Sequence, residues 1–405
     1  MMNIDPVAAG MSAKRLQHLT RHLQDRFIDP QKIAGCQTLV ARKGNVAYFE
    51  SLGYADLAAK TPIQEDTIFR IYSMTKPVTS IALMQLYERG LFQLNDPISR
   101  VIPAFRSPNV CMGTASSGEL MLVPAVSEIT FRQILNHTSG LSYGNGEHPV
   151  DQAYRAAGLT ERREQTLASF VELLGTMPLC YHPGDAWLYS LATDVCGYLV
   201  EALSGMPFSD YVKTFIFEPL GMTDTDFYVP ANKAARLASN YGRGVDKSLH
   251  LLDPSESSIY LHKPLFESGG GGLVSTAQDY LRFCQMLVQN GVLNEERVIS
   301  RRTLALMRQN HLGKGRDLTQ LAIGSFSETA YEGIGFGLGF AVNTDEVASG
   351  QIGRDDYYWG GAASTIFSVD PHEDLIIIFL TQLMPSSTFN FRGQLKSIVY
   401  GAIDD

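Results

Sequence analysis

Apolar positions recur at helical spacing at Leu16, Leu19, Leu23 and Phe27. This predicts an amphipathic N-terminal helix that starts after a Ser12 cap. Residues 35–54 instead alternate apolar and polar around Lys43-Gly44-Asn45, the pattern of a β-hairpin. After a short approach segment at 66–71, Ile81, Ala82, Leu83, Met84 and Leu86 lie in a run that is apolar nearly all round and stops at Gly90. Such a helix is buried.

Helical signals continue to about Leu220. Thr130 caps 131–136, Thr166 caps 167–174, and the run 191–203 stops at Gly205. Residues 107–126, rich in small residues, read as an irregular excursion. Beyond about Asn232 the chain turns to polar loops and strand-like runs at 335–342, 357–369 and 375–383, closed by an amphipathic last helix. Strands joined by turns imply an antiparallel sheet. The expected architecture is α+β in two lobes. Residues 1–72 and 232–405 form the sheet lobe, residues 73–231 a mainly helical lobe, and a site lies between them.

Composition narrows the function. The 405 residues are 45% hydrophobic and 19% charged, as in a soluble globular protein. A formal charge of −9 and a pI near 5.5 argue against nucleic acid or an anionic membrane as partner. The five cysteines, Cys36, Cys111, Cys180, Cys196 and Cys284, are scattered without Cys-x-x-Cys and read as reduced core residues. The N-terminus has no apolar run of signal-peptide length, and the longest strongly apolar run, 375–380, is too short to span a bilayer. A cytoplasmic location is expected by default.

The chemistry starts at Ser73-Met74-Thr75-Lys76-Pro77. Pro77 is tolerated only in the first turn of a helix, so the helix begins near Ser73 and Lys76 shares a face with the serine. The helix dipole points its positive end at an oxyanion forming there. Serine is a poor nucleophile and lysine a poor base at neutral pH, so the pair needs a third group. Taken alone, these residues equally describe a helix-capping serine and a surface lysine.

A second stretch, His182-Pro183-Gly184-Asp185-Ala186-Trp187-Leu188-Tyr189-Ser190-Leu191, sets Tyr189 just before a helix. Ammonium neighbours lower a phenol pKa and turn it into a base. A core tyrosine bonded to a carbonyl is the alternative. A third, Tyr358-Trp359-Gly360-Gly361-Ala362-Ala363, puts two glycines in a strand-like run, where an acyl substrate could approach the backbone. A β-bulge is the alternative there. The glycine run 269–272 reads as a tight turn before a helix, capped by Ser275 or Thr276, rather than a phosphate cradle, since no P-loop lysine follows.

The order and spacing of these three stretches resemble the serine β-lactamase and penicillin-binding hydrolases in their class C arrangement, and are most similar to the family VIII carboxylesterases. The resemblance runs from about Ala34 to Leu383. It also takes in Asn136-His137-Thr138-Ser139-Gly140-Leu141, Pro183-Gly184, Pro219-Leu220-Gly221-Met222 and the glycine run. It implies an acylated nucleophile at Ser73, Lys76 as its activating partner, Tyr189 as proton shuttle, and an oxyanion hole from the backbone N–H groups of Ser73 and Ala362. Trp359, Gly360, Gly361 and Leu191 would line the substrate, and no cofactor is required.

Two departures from the family pattern bear on substrate. Trp359-Gly360-Gly361 stands where β-lactamases commonly carry a Lys-Thr-Gly type triplet, and Tyr189-Ser190-Leu191 lacks the asparagine of Tyr-x-Asn. Both exchange polar recognition for apolar contact, which favours small esters over peptides or penicillins. The expected activity is hydrolysis of short-chain acyl esters. Its rivals are a β-lactamase or D-alanyl-D-alanine peptidase on the same fold, and a penicillin-binding module that is acylated without turnover. The sequence carries no reading of oligomeric state.

A competing serine lies in Gly140-Leu141-Ser142-Tyr143-Gly144, which fits Gly-x-Ser-x-Gly. That motif requires a strand before the serine and a helix after it, whereas here a helix precedes it. None of the nine histidines has positional support for a Ser-His-Asp triad. His18 and His22 have helical spacing but no third metal ligand nearby, and no metal site is expected.

Overall fold

The computed structural model describes residues 2–161, 164–323 and 331–405. Arg162 and Arg163 lie outside them. An eight-stranded antiparallel sheet is drawn from both chain ends. Its order is Ile334–Phe336, Ala341–Asn343, Tyr357–Gly360, Ile366–Asp370, Leu375–Thr381, Gly35–Arg42, Asn45–Asp56 and Thr61–Pro62. The central strand Leu375–Thr381 is buried along its whole length. Alternate side chains of a strand face opposite ways. Ile376, Ile378 and Leu380 therefore enter a core shared with the helix Thr75–Glu88, while Leu375, Ile377 and Phe379 enter a second core. That second core is closed by Leu16, Leu19 and Leu23 of the helix Ala13–Leu23 and by Phe391, Leu395 and Val399 of the helix Phe391–Tyr400. Each such side chain contributes roughly 1.5–3 kcal/mol relative to exposure.

The hairpin over Lys43-Gly44 forms with positive φ at both turn residues (51° and 75°), the twist that suits two adjacent strands. Thr130 and Thr166 cap Phe131–Leu135 and Leu167–Gly175 through reciprocal side-chain bonds, and Ala192–Ser204 stops at left-handed Gly205. Ser12 sits at the N-cap of its helix without bonding it through its side chain. All five cysteines are free and buried. Burial pushes the thiols of Cys36, Cys196 and Cys284 up, away from the reactive thiolate.

Three sequence expectations need correction. Residues 107–126 are not irregular but contain the hairpin Asn109–Thr114 with Leu120–Pro124. A bulge at Cys111/Gly113 breaks its two-residue period and hid it. The run 335–342 is two short strands joined through Gly339, at φ +97°, where a Cβ would stand 2.3 Å from the Ser80 hydroxyl oxygen. The run 357–369 is likewise two strands, so the paired glycines stand at a strand end rather than inside one. Gly360 ends the first, and the turn closes with Gly361 N–H donating to the Thr365 carbonyl at 2.8 Å.

Candidate active site

The helix predicted to begin near Ser73 begins at Thr75. Ser73 belongs to the single 3-10 turn Tyr72–Met74 that leads into it, and Pro77 is the helix's third residue. The turn is fastened on several sides. Ile71 N–H donates to the Leu273 carbonyl (3.1 Å), Leu273 N–H to Thr75 Oγ1 (3.1 Å), and Tyr280 Oη to the Met74 carbonyl (2.9 Å). These contacts hold Tyr72 at φ +42°, a sparsely populated conformation for a bulky residue. Such strain persists only where the surroundings over-determine it.

Lys76 is 1% exposed, and its ammonium donates to Ser73 Oγ at 3.2 Å, to Tyr143 Oη at 2.8 Å and to the Gly270 carbonyl at 2.6 Å. Burying a cation without such acceptors would be costly. The glycine run thus supplies a carbonyl to the ammonium, which reading it as a turn before a helix did not anticipate. Its shape is set by fully buried Asp194, which accepts from Gly270 N–H (3.0 Å) and Ser268 Oγ (2.6 Å). At Gly269 a Cβ would lie 2.6 Å from the Thr193 carbonyl oxygen, so this approach admits no side chain.

The Tyr189 ring lies 4.4 Å from the Lys76 ammonium, and its Oη accepts from Trp359 Nε1 at 3.1 Å. Tyr143, His137 and Trp359 surround that ring at centroid distances of 5.3, 4.9 and 5.3 Å. The sequence offered Tyr143 only as the neighbour of a rejected serine. Trp359 and Leu191 are fully buried, so neither presents side-chain surface to a substrate in this structure. For Trp359 the contact shown is with the tyrosine instead. Arg392 braces that strand by donating to the Trp359 carbonyl (3.0 Å) and to that of its cross-strand partner Phe367 (3.2 Å).

Gly361 comes close to the serine segment, since a Cβ there would be 2.4 Å from the Ile71 carbonyl oxygen. Gly360 and Gly361 also line a cavity of about 620 Å³ with Ser364, Thr365 and Asn390. Among the described residues, neither the Ser73 nor the Ala362 N–H has a hydrogen-bond acceptor. Ser142, by contrast, is buried and donates its hydroxyl to Asp151, with Gly144 N–H on the same oxygen at 3.3 Å. No group of three or more His, Cys, Asp or Glu residues suited to a metal ion occurs among the described residues. None of their helices is long and apolar enough to cross a membrane.

His137 is buried, with Nδ1 3.3 Å from Ser190 Oγ. Burial, and then the positive charge of Lys76, hold its pKa well below the ordinary 6.5. The unfolded chain therefore binds this proton more readily than the folded one. The stability due to neutral His137 is complete above about pH 6.5 and is lost as pH falls below it, by up to ~1.4 kcal/mol per pH unit. Urea unfolding of wild type and His137→Gln between pH 7.5 and 5.0 should show a shallower acid loss in the variant. Equal slopes would remove His137 as its source.

A profile of the Beta-lactamase family matches residues 17–397. Protein Rv1367c of Mycobacterium tuberculosis is 36% identical over 363 residues, covering 88% of each chain. Esterase EstB of Burkholderia gladioli is 30% identical over 399 residues, covering 94% of this chain and 93% of its own. Among solved structures, EstCE1, described as a hydrolase with promiscuous acyltransferase activity, superposes with a TM-score of 0.77 at 27% identity, with 99% of each chain covered. With the α+β fold and a Ser-x-x-Lys pair at hydrogen-bonding distance already in place, these likenesses settle the affiliation: the chain belongs to the beta-lactamase family of serine hydrolases, on its ester-hydrolysing, family VIII side.

Proposed function

We propose that the protein is a carboxylesterase that hydrolyses short-chain acyl esters through an acyl-enzyme on Ser73. The observation that carries this reading is the buried Lys76 ammonium 3.2 Å from the Ser73 oxygen and 4.4 Å from the centre of the Tyr189 ring. An ammonium that donates to oxygen acceptors already carries its proton and so holds charge in place rather than taking one up. The proton of Ser73 therefore passes to the Tyr189 oxygen, whose phenolate form the neighbouring cation favours and the Trp359 indole N–H orients. Ser73 attacks the ester carbonyl, and the N–H groups of Ser73 and Ala362 receive the oxyanion. Tyr189 returns the proton to the departing alkoxide, and water then releases the acid by the same route.

The indole at position 359 supports esters over β-lactams, because it spends its only donor on Tyr189 and offers no cation to a carboxylate. Labelling with a fluorophosphonate followed by peptide mass spectrometry tests the nucleophile. The adduct is expected on the peptide that carries Ser73; an adduct on Ser142, or none, overturns the assignment. Nitrocefin turnover above that of p-nitrophenyl butyrate would move the protein to the β-lactamase reading.

A further inference from the structure

An apolar cavity of about 310 Å³ lies beside the serine segment, walled by Phe227, Tyr260, Leu265 and Phe266 and floored by Gly271 and Gly272. Two of its lining residues, Gly271 and Tyr260, reach Tyr72, the residue before the candidate nucleophile. Gly271 follows the residue whose carbonyl holds Lys76, and the nearest atoms a Cβ on it would meet are those of the Tyr72 backbone, from 3.7 Å. Tyr72, immediately before Ser73, also sets its ring edge-on to that of Tyr260 at 6.4 Å. The exposed Leu265 (65%) and Ile259 (45%) stand at its rim with His262 and Lys263.

We propose that this cavity receives the acyl chain of the ester and, among short straight acyl groups, makes the enzyme prefer butanoyl and hexanoyl over acetyl. The inference rests on Ser73 being the acylated residue. The side assignment follows from proton traffic. The group that reprotonates the leaving alkoxide must stand next to the alcohol, and Tyr189 lies in the cluster of His137, Tyr143 and Trp359, none of which lines the cavity. Lys76 touches both, lying 4.4 Å from the Tyr189 ring and 2.6 Å from the Gly270 carbonyl. With the alcohol on the tyrosine side, the acyl chain runs past Tyr72 and over Gly271. The volume is at the lower end of small-molecule pockets, roughly 300–1,000 Å³, which suits one alkyl chain and not a peptide. The walls at Phe227, Leu265 and Phe266 are hydrocarbon, with His262 and Lys263 at the rim, so selection among acyl groups is by buried methylenes.

The test is the kcat/KM series for p-nitrophenyl acetate, butyrate, hexanoate and octanoate, read in wild type, Leu265→Asp and Gly271→Leu. Each is expressed relative to acetate in the same variant, so that loss of folded protein cancels. Wild type should rise roughly threefold per added methylene up to hexanoate. Leu265→Asp, which brings a charge to the rim, and Gly271→Leu, which fills the passage beside Tyr72, should each lower the hexanoate-to-acetate ratio by at least about tenfold. A parallel series of ethyl, butyl and hexyl acetates should show no comparable rise. A flat acyl series in wild type, ratios unmoved in both variants, or a rise that follows the alcohol instead would overturn the assignment. If acetate is hydrolysed at Ser73 while the acyl series stays flat, the cavity's role falls and the esterase reading stands; if fluorophosphonate labels another residue, both fall.

Discussion

Ser73→Ala is expected to lower kcat for p-nitrophenyl butyrate by at least about 10⁴-fold, since without the hydroxyl no acyl-enzyme can form and only binding and oxyanion stabilisation remain. Ser142→Ala is expected to leave kcat within about threefold of wild type and to lose stability instead. Its hydroxyl is committed to buried Asp151, and removing it strips that carboxylate of a donor, at a cost of about 1–3 kcal/mol. Steady-state kinetics and urea denaturation on both variants separate the two effects. An active Ser73→Ala enzyme would remove the Ser73 mechanism outright.

The second large effect is expected at the phenol. Tyr189→Phe keeps the ring over Lys76 but deletes the oxygen that Trp359 holds, and kcat should fall by about 10²–10⁴, the range for loss of a positioned general base. Tyr143→Phe deletes an acceptor of Lys76 and not the proposed base. Its loss should stay within about thirtyfold, with the shape of the pH–rate profile retained. The contrast matters because both phenols stand beside the same ammonium. A larger loss at Tyr143, with the acid limb of the profile displaced, would transfer the shuttle to that residue. Trp359→Phe would bear on the same point, as it removes the indole donor while leaving a ring in the aromatic cluster.

Particular residues show how far the sequence reading reached. The helices capped by Thr130 and Thr166 were legible because a cap is a local bargain: a side-chain oxygen and backbone N–H groups within four residues settle it. The hairpin over Lys43-Gly44 was legible for a similar reason, two positive-φ turn positions between alternating strands. The 109–124 hairpin was not, because a one-residue bulge shifts which side chains face inward and erases the period on which such a reading depends. The turn after Gly360 was missed on different grounds. It closes through a bond between Gly361 and Thr365 and a left-handed Ser364, and neither the bond nor the dihedral leaves a clear mark in residue type.

The amino-acid order by itself pointed to the family through three ordered stretches, to the α+β class through its periodicities, and to Ser73 and Lys76 as a pair through their three-residue spacing ahead of Pro77. Tertiary structure alone decided what surrounds that pair. Gly270, 194 residues along, gives the ammonium its carbonyl; Tyr143 gives it a phenol; and Trp359, 170 residues from Tyr189, turns the tyrosine oxygen with its indole. Contacts at such separations depend on how two cores pack against the two faces of one sheet, and a linear pattern of apolar and polar residues records that each segment is buried but not which distant segment it is buried against.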